Sequence, residues 1–509
     1  MIEITWNHDT ELERKGNIML FNSIDFIIFF PIVVLVYFLI PKRFQRIWLL
    51  VASYYFYMSW NPKYIILILF ATVVTFIGGI GIAILDKNSI GRRVCLICSI
   101  LANLLMLFFF KYIDMMIGYL NKILGLFHIG IVEKNFSYAL PVGISFFTFQ
   151  AIGYVIDVYR GETKAEKNFL SYALFISFFP QLVAGPIERS KNLLRQVNET
   201  HKFEYDRVKN GLLLMLWGFF LKLVVADRIA VFVDAVYENP FGNNGFFIVI
   251  ATVLFGFQIY CDFYGYSTIA RGGGKVLGVE LMENFKAPYM SLSVTEFWRR
   301  WHISLTGWFR DYLYIPLGGN RKGKLRQYMN LMVVFLASGL WHGASLSFVI
   351  WGALNGIYQV VGNMGKSIKC QFTRWFVNDE IKWEYKFLCR LCTFCLVDIT
   401  WLFFRAGSMQ NVAILCEQMF GVYNPWIFFS GALYEIGLSR QEFWLMLIVI
   451  AVVLWVDSLH YRDIHVLDVL EKSGLLFRTL AVSGMIFVVA MLGVYGESQD
   501  VGTFIYFTF

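Results

Sequence analysis

The sequence predicts an all-α polytopic integral membrane protein with about 11–13 transmembrane or re-entrant helices. Three observations carry this. Of 509 residues, 58% are hydrophobic and only 16% charged, and the mean hydropathy is +0.59, more apolar surface than a soluble interior can hide. The apolar residues gather into runs which, at about 20 residues per crossing, fill roughly a dozen spans and leave no room for a large soluble domain. Aromatic residues reach 18%, with 27 Tyr and 15 Trp, the side chains that settle at headgroup depth.

Residues 1–18 carry Glu3, Asp9, Glu11 and Glu13 without apolar period and read as a polar extension, with Met19 as an alternative start. No cleavable signal peptide is expected, because the first apolar run is followed by further membrane segments rather than by a cleavage site. Apolar runs then follow at 24–40, 47–60, 63–85, 94–120, 138–158, 169–187, 210–236, 246–270, 329–363, 387–404, 411–433, 441–459 and 478–496, and residues 19–509 read as one membrane domain.

The net charge of +8 is a matter of orientation rather than of nucleic-acid binding, because Lys and Arg sit in short loops between apolar runs. Lys42, Arg43 and Arg46, then Lys87, Arg92 and Arg93, then Lys164 and Lys167 mark cytoplasmic loops. Asn61-Pro62 and the loop at 239–245 lack Lys and Arg and face outward, which places the N-terminus outside. The run 169–187 has basic residues on both flanks and contains Pro180 and Pro186, so it is expected to be re-entrant, which irregular backbone permits only where protein or water satisfies it.

The longest stretch that does not span is 271–328, with ten Lys or Arg against four acids, expected on the cytoplasmic side. Within it Trp298, Trp301, His302, Leu305 and Phe309 recur at helical spacing and predict one amphipathic helix with an aromatic face, suited to the membrane surface. The triplet Gly272, Gly273 and Gly274 is too sparse for a phosphate loop and reads as a hinge. Cys389, Cys392 and Cys395 share a helical face without a His or acidic companion, so they read as core packing rather than as a metal site.

Of seven histidines, His8, His128, His201, His460 and His465 lie in polar or loop segments and read as structural or solvated. His342 stands in FLASGLWHGASLSFVIWGALNG, apolar on both sides, and an ionisable group in such a run is a functional candidate. Gly339, Gly343 and Ala344 leave its backbone lean, open to a substrate or a second helix. Apolar surroundings disfavour the imidazolium, which leaves a base suited to removing a proton from a hydroxyl as it attacks a carbonyl. Neither a G-x-S-x-G elbow nor a His-Glu-x-x-His pattern is present, so direct acyl transfer to a hydroxyl fits better than serine or zinc chemistry. His302 is its candidate partner or an anchor of the aromatic helix. Asp262, near the inner end of a run and followed by Tyr264 and Tyr266, is expected to pair with an Arg or a Tyr hydroxyl, for structure or to orient a catalytic group.

Residues 283–356, containing WRRWH and LWHGA, together with MLFNSIDF, LPVGISFFTFQAIGYVIDVYRG, FPQLVAGPIERS and DFYGYS, strongly resemble the membrane-bound O-acyltransferase family, in its bacterial alginate O-acetyltransferase branch. The resemblance implies a ring of helices around a central funnel, with donor arriving from the cytoplasm and acceptor from the opposite side. It implies catalytic roles for His342 and His302. Beside them, Asp262, Tyr266, Trp298, Trp301 and Trp341 stand as orienting or structural candidates. On this reading the chain is a multi-pass protein of a bacterial inner or plasma membrane, in contact with membrane lipid. It is an O-acyltransferase that moves acetyl from acetyl-CoA, with no cofactor bound, toward hydroxyls of an extracellular polysaccharide. An extracellular or periplasmic partner acyltransferase is implied, since no external domain is large enough to hold a polymer. Arg299, Arg300, Arg310, Arg321, Lys322 and Lys324 are candidate holders of the donor phosphates, although positive-inside bias produces the same cluster. Two rivals stand beside this reading: D-alanyl transfer from a carrier protein to teichoic acid, and a proton-coupled transporter, for which the inverted repeat such folds show is not found.

Overall fold

The computed structural model describes residues 19–127, 141–183, 185–365, 383–495 and 504–505; among them the regular elements are all helical. The polar extension, Met19 as a start, and His8 and His128 concern the chain outside these residues or its boundary. Among the described residues six helices are both long and apolar enough to cross a membrane: Pro62–Ile84, Ile90–Leu126, Phe246–Leu277, Trp383–Ala406, Arg440–Tyr461 and Leu475–Leu492. The chain divides into two compact units, Met1–Met215 with Ser267–Met282, and Leu216–Tyr266 with Glu283–Phe509.

In the first unit, α1 (Ile24–Leu39) starts where the Ser23 hydroxyl accepts the Phe26 N–H, and α2 (Lys42–Met58) follows Pro41. α3 (Ile65–Ile84) and the 37-residue α4 (Ile90–Leu126) come next. α5 (Ile144–Arg160) lies between Gly143 and Gly161, both at positive φ. The run 169–187 is interrupted: α6 (Phe169–Ser177) ends at Phe178 and α7 (Phe179–Leu182) begins at once, with its side chains buried. The short α8 (Arg195–Asn198) and α9 (Tyr205–Phe219) complete the sequence of helices before the crossing into the second unit.

In the second unit a π-helical turn, Phe220–Ala226, leads into α10 (Asp227–Glu238), so the run 210–236 is helical throughout with one widened turn. α11 (Phe246–Leu277) carries the glycine triplet inside it, and its last turns belong to the first unit. The triplet is therefore not a hinge: a Cβ on Gly272 would sit 2.5 Å from the Gly211 carbonyl oxygen, so the glycine serves close helix packing.

Three further expectations are corrected. The run 329–363 is two helices, α14 (Lys324–His342) and α15 (Leu346–Met364), separated by extended Gly343 and capped by Ser345. The lean backbone admits the second helix: a Cβ on Gly339 would lie 2.3 Å from the Phe348 oxygen, and one on Gly352 2.3 Å from the Phe335 oxygen. The run 411–433 is not one span, because Met409–Gly421 has 13 residues, about 20 Å of helix, and only a four-residue turn, Ile427–Ser430, follows it. Cys392 and Cys395 are exposed and Cys389 half-buried on Trp383–Ala406, an outward face rather than core.

Candidate active site

The predicted aromatic helix breaks at its most important residue. α12 (Val294–Arg300) ends at Trp301, and α13 (Ile303–Phe309) begins after His302, whose φ of 44° is left-handed. That conformation costs a non-glycine residue on the order of 1–3 kcal/mol, and the surroundings enforce it. The Asn284 carbonyl accepts the Ile303 N–H at 2.9 Å, while its side-chain oxygen accepts the Ser304 hydroxyl at 2.6 Å. The Lys286 N–H donates to the Arg300 carbonyl at 3.0 Å. Two short helices replace the surface helix, and Trp298, Trp301, His302, Leu305 and Phe309 are all buried.

His302 is 1% exposed. Its ring meets Phe263 edge-on at 4.7 Å between centroids and Trp341 at 6.2 Å. Burial pushes this imidazole down to about 3, so it is neutral at physiological pH. His342, 6% exposed, closes α14. Three rings stand edge-on to it: Trp341 at 4.9 Å, Trp351 at 5.0 Å and Phe404 at 5.2 Å. The indole of Trp341 thus contacts both imidazoles. Behind this layer Trp351 stacks on Trp401, and Trp401 meets Trp301 at 5.0 Å. The Trp298 indole N–H donates to Asn355 at 3.1 Å, and the Asn355 amide in turn donates to the Trp351 carbonyl at 2.9 Å. Residues from α12, α14, α15 and Trp383–Ala406, far apart in sequence, form one aromatic enclosure around His342. It is low in dielectric and gives the ring few ways to turn.

Among the described residues Asp262 pairs neither with an Arg nor with a Tyr hydroxyl. Its Oδ1 lies 2.7 Å from Lys222 Nζ, which is also 2.8 Å from Asp227 Oδ1, and its Oδ2 accepts the Ile505 N–H at 2.8 Å. The Lys222 ammonium lies over the Tyr266 ring, 5.4 Å from its centroid. All these side chains are buried, and a charge so placed persists only when paired and hydrogen-bonded. The cluster holds the turn of α11 that bears Phe263, and Phe504 packs against Phe263 and Tyr266 at 5.7 and 4.6 Å. Asp262 and Tyr266 therefore reach His302 through Phe263. Lys222 and Asp227 were missed by sequence reading, as were Asp398 and Asp457; the signal was an ionisable residue inside an apolar run, the same one that marked His342.

The basic candidates separate by setting. Arg300 is committed within the fold: it pairs with Glu296 at 3.0 Å, donates to the Lys286 carbonyl and lies over the Tyr461 ring. Arg310 pairs with neighbouring Asp311 at 2.8 Å. Arg299, Arg321, Lys322 and Lys324 are exposed. Among the described residues no three His, Cys, Asp or Glu side chains converge as metal ligands would.

Helices that cross a membrane, with ionisable groups enclosed by protein, define the class: a multi-pass membrane protein with a polar interior. The chain belongs to the MBOAT, membrane-bound O-acyltransferase family, which residues 164–404 match, and it is a bacterial multi-pass membrane O-acyltransferase. It is similar to "Probable alginate O-acetylase AlgI" of Pseudomonas putida, with 38% identity over 80% of this chain and 81% of that protein. To the peptidoglycan O-acetyltransferase of Helicobacter pylori it is 34% identical, over 80% of each chain. The match to the teichoic acid D-alanyltransferase of Bacillus subtilis is 27% over 48% of this chain and 61% of that protein.

Proposed function

We propose that this protein transfers acetyl groups from acetyl-CoA toward hydroxyls of an extracellular polysaccharide, handing them on through an extracellular or periplasmic partner acyltransferase. The observation that carries the reading is the enclosure of His342 by Trp341, Trp351 and Phe404, with a second imidazole, His302, also meeting the Trp341 ring at 6.2 Å between centroids. The long matches to polymer O-acetyltransferases favour acetyl over D-alanyl, whose relative aligns over less of the chain.

In this mechanism a His342 ring nitrogen takes the acceptor hydroxyl proton as the oxygen attacks the thioester carbonyl. The C–O bond forms, the C–S bond breaks, and the imidazolium returns its proton to the departing thiolate. The products are an ester and a free thiol, with His342 restored. Exclusion of water by the indoles protects the thioester from hydrolysis. His302, neutral in its buried corner, orients substrate or shares the proton. Arg321, Lys322 and Lys324, exposed in the segment proposed to face the cytoplasm, offer charge to the donor phosphates.

The test uses membranes of the native host, which hold the full chain together with its partner acyltransferase, labelled acetyl-CoA and a polysaccharide acceptor, with D-alanyl carrier protein as a parallel donor. Acetyl transfer accompanied by release of free CoA, abolished in His342→Ala, is the expected result. Transfer from the D-alanyl carrier alone overturns the acetyl assignment, and undiminished transfer by His342→Ala overturns the base.

A further inference from the structure

The first unit contains a cavity of about 270 Å³ that the acyl-transfer chemistry does not use, between the α1–α2 turn and residues 196–201. Lys42, Arg43 and Arg46 line it, with Gln45, Thr200 and His201. One acid, Glu199, is among the lining residues and is drawn to Arg195 at 3.7 Å, so three cations face the space with little opposing charge.

Two buried polar atoms at this site lack hydrogen-bond partners. Gln45 is 6% exposed; its amide donates to the Tyr37 and His201 carbonyls, while its Oε1 accepts nothing. Arg46 donates through one guanidinium nitrogen to the Asn198 carbonyl at 3.2 Å, and its Nε–H is buried without an acceptor. Buried polar groups are paired in most proteins. A guanidinium with a spare donor, beside two more cations, matches an oxyanion with several lone pairs, and an arginine fork suits phosphate best. Gln45 Oε1 suits a hydroxyl on the same ligand.

The walls indicate what bears the phosphate. Ile47 and Leu170 line the cavity and are exposed, as are neighbouring Leu39 and Phe44, an apolar border on which acyl chains can lie. The volume is below the roughly 300–1,000 Å³ that encloses a drug-sized ligand, room for a headgroup rather than a whole nucleotide. Basic pockets between helices at a membrane face bind anionic headgroups. We propose that this cavity is a binding site for an anionic phospholipid. Its phosphate is held by Arg46 with Lys42 and Arg43, its headgroup hydroxyl by Gln45, and its acyl chains lie against Ile47 and Leu170. The lipid ties the α1–α2 turn to residues 196–201. This site stands independently of the acetyl-transfer reading.

The test is native mass spectrometry of the full-length protein in detergent, offered phosphatidylglycerol and phosphatidylcholine of identical acyl chains. Preferential retention of phosphatidylglycerol is expected. Lys42→Gln with Arg43→Gln, at exposed positions where folding is undisturbed, lowers that preference about ten-fold, and Arg46→Gln lowers it at least as much. Excess inorganic phosphate does not displace the lipid. Equal retention of both lipids, or a preference unchanged in both variants, overturns the site. Loss of lipid to inorganic phosphate overturns the lipid as occupant.

Discussion

The histidine corner and the basic segment 310–326 belong to the same unit and stood out for related reasons, polar residues in an otherwise apolar chain, yet their settings are opposite. His302 and His342 are enclosed by rings contributed by several helices. Arg321, Lys322 and Lys324 are exposed. A group held in a dry, rigid setting acts with a fixed geometry, whereas an exposed charge acts through a field that salt screens. The comparison makes the corner sensitive to chemistry and to pH, and the segment sensitive to ionic strength.

The largest effect is expected at His342. His342→Ala should lower acyl transfer by about 10²–10⁴-fold, the span of general-base contributions, with expression and membrane insertion retained; transfer rate in membranes of matched protein content measures it. In the basic segment Arg321→Gln and Lys324→Gln should stay inserted, and at least one should raise the half-saturating acetyl-CoA concentration by roughly ten- to a hundred-fold. Added salt should mimic the loss and leave acceptor dependence unmoved. Donor dependence unchanged at low and high salt would return the cluster to a role in orientation alone.

A third expectation concerns pH. The His302 imidazole drops from its ordinary 6.5 to about 3 on folding, so between these values the unfolded chain binds a proton that the folded chain does not. Stability from this group is complete above pH 6.5 and falls as pH falls, by about 2 kcal/mol at pH 5. Thermal unfolding in detergent should show this acid loss in the wild type and a shallower one in His302→Asn, where asparagine tolerates the left-handed backbone. Equal slopes would remove His302 as its source. The smallest effect is topological: a single cysteine at Lys322 in a cysteine-free background should react only with membrane-permeant reagents. Labelling of intact cells by an impermeant thiol reagent would place the segment outside.

Much of this was legible along the chain. Hydropathy marks a run whatever it packs against, so the helices appear near their predicted positions, and His342 declares itself because no other His, Lys, Arg, Asp or Glu lies within its run. Lys222 also lies inside an apolar run, but Asp227, Arg228 and Asp234 share that run and make it stand out less. Its partners lay 5 and 40 residues away, Asp227 and Asp262, beyond any local pattern. The aromatic spacing from Trp298 to Phe309 predicted a single helix because periodicity registers side chains and not the backbone. It could not register the carbonyl and side chain of Asn284 that hold His302 at positive φ.

The sequence by itself determined that the chain is a helical membrane protein and that two histidines in WRRWH and LWHGA are its candidates for chemistry. Those properties depend on transfer free energy and residue type, which are local. Only the tertiary structure decided that the run 329–363 folds back at Gly343, that Trp341 touches both imidazoles, and that Asp262 meets Lys222 and the Ile505 N–H. Each of these depends on which surfaces come within contact distance, and dispersion and hydrogen bonding extend only a few ångströms. Contacts between residues tens or hundreds of positions apart therefore leave no local pattern in the chain.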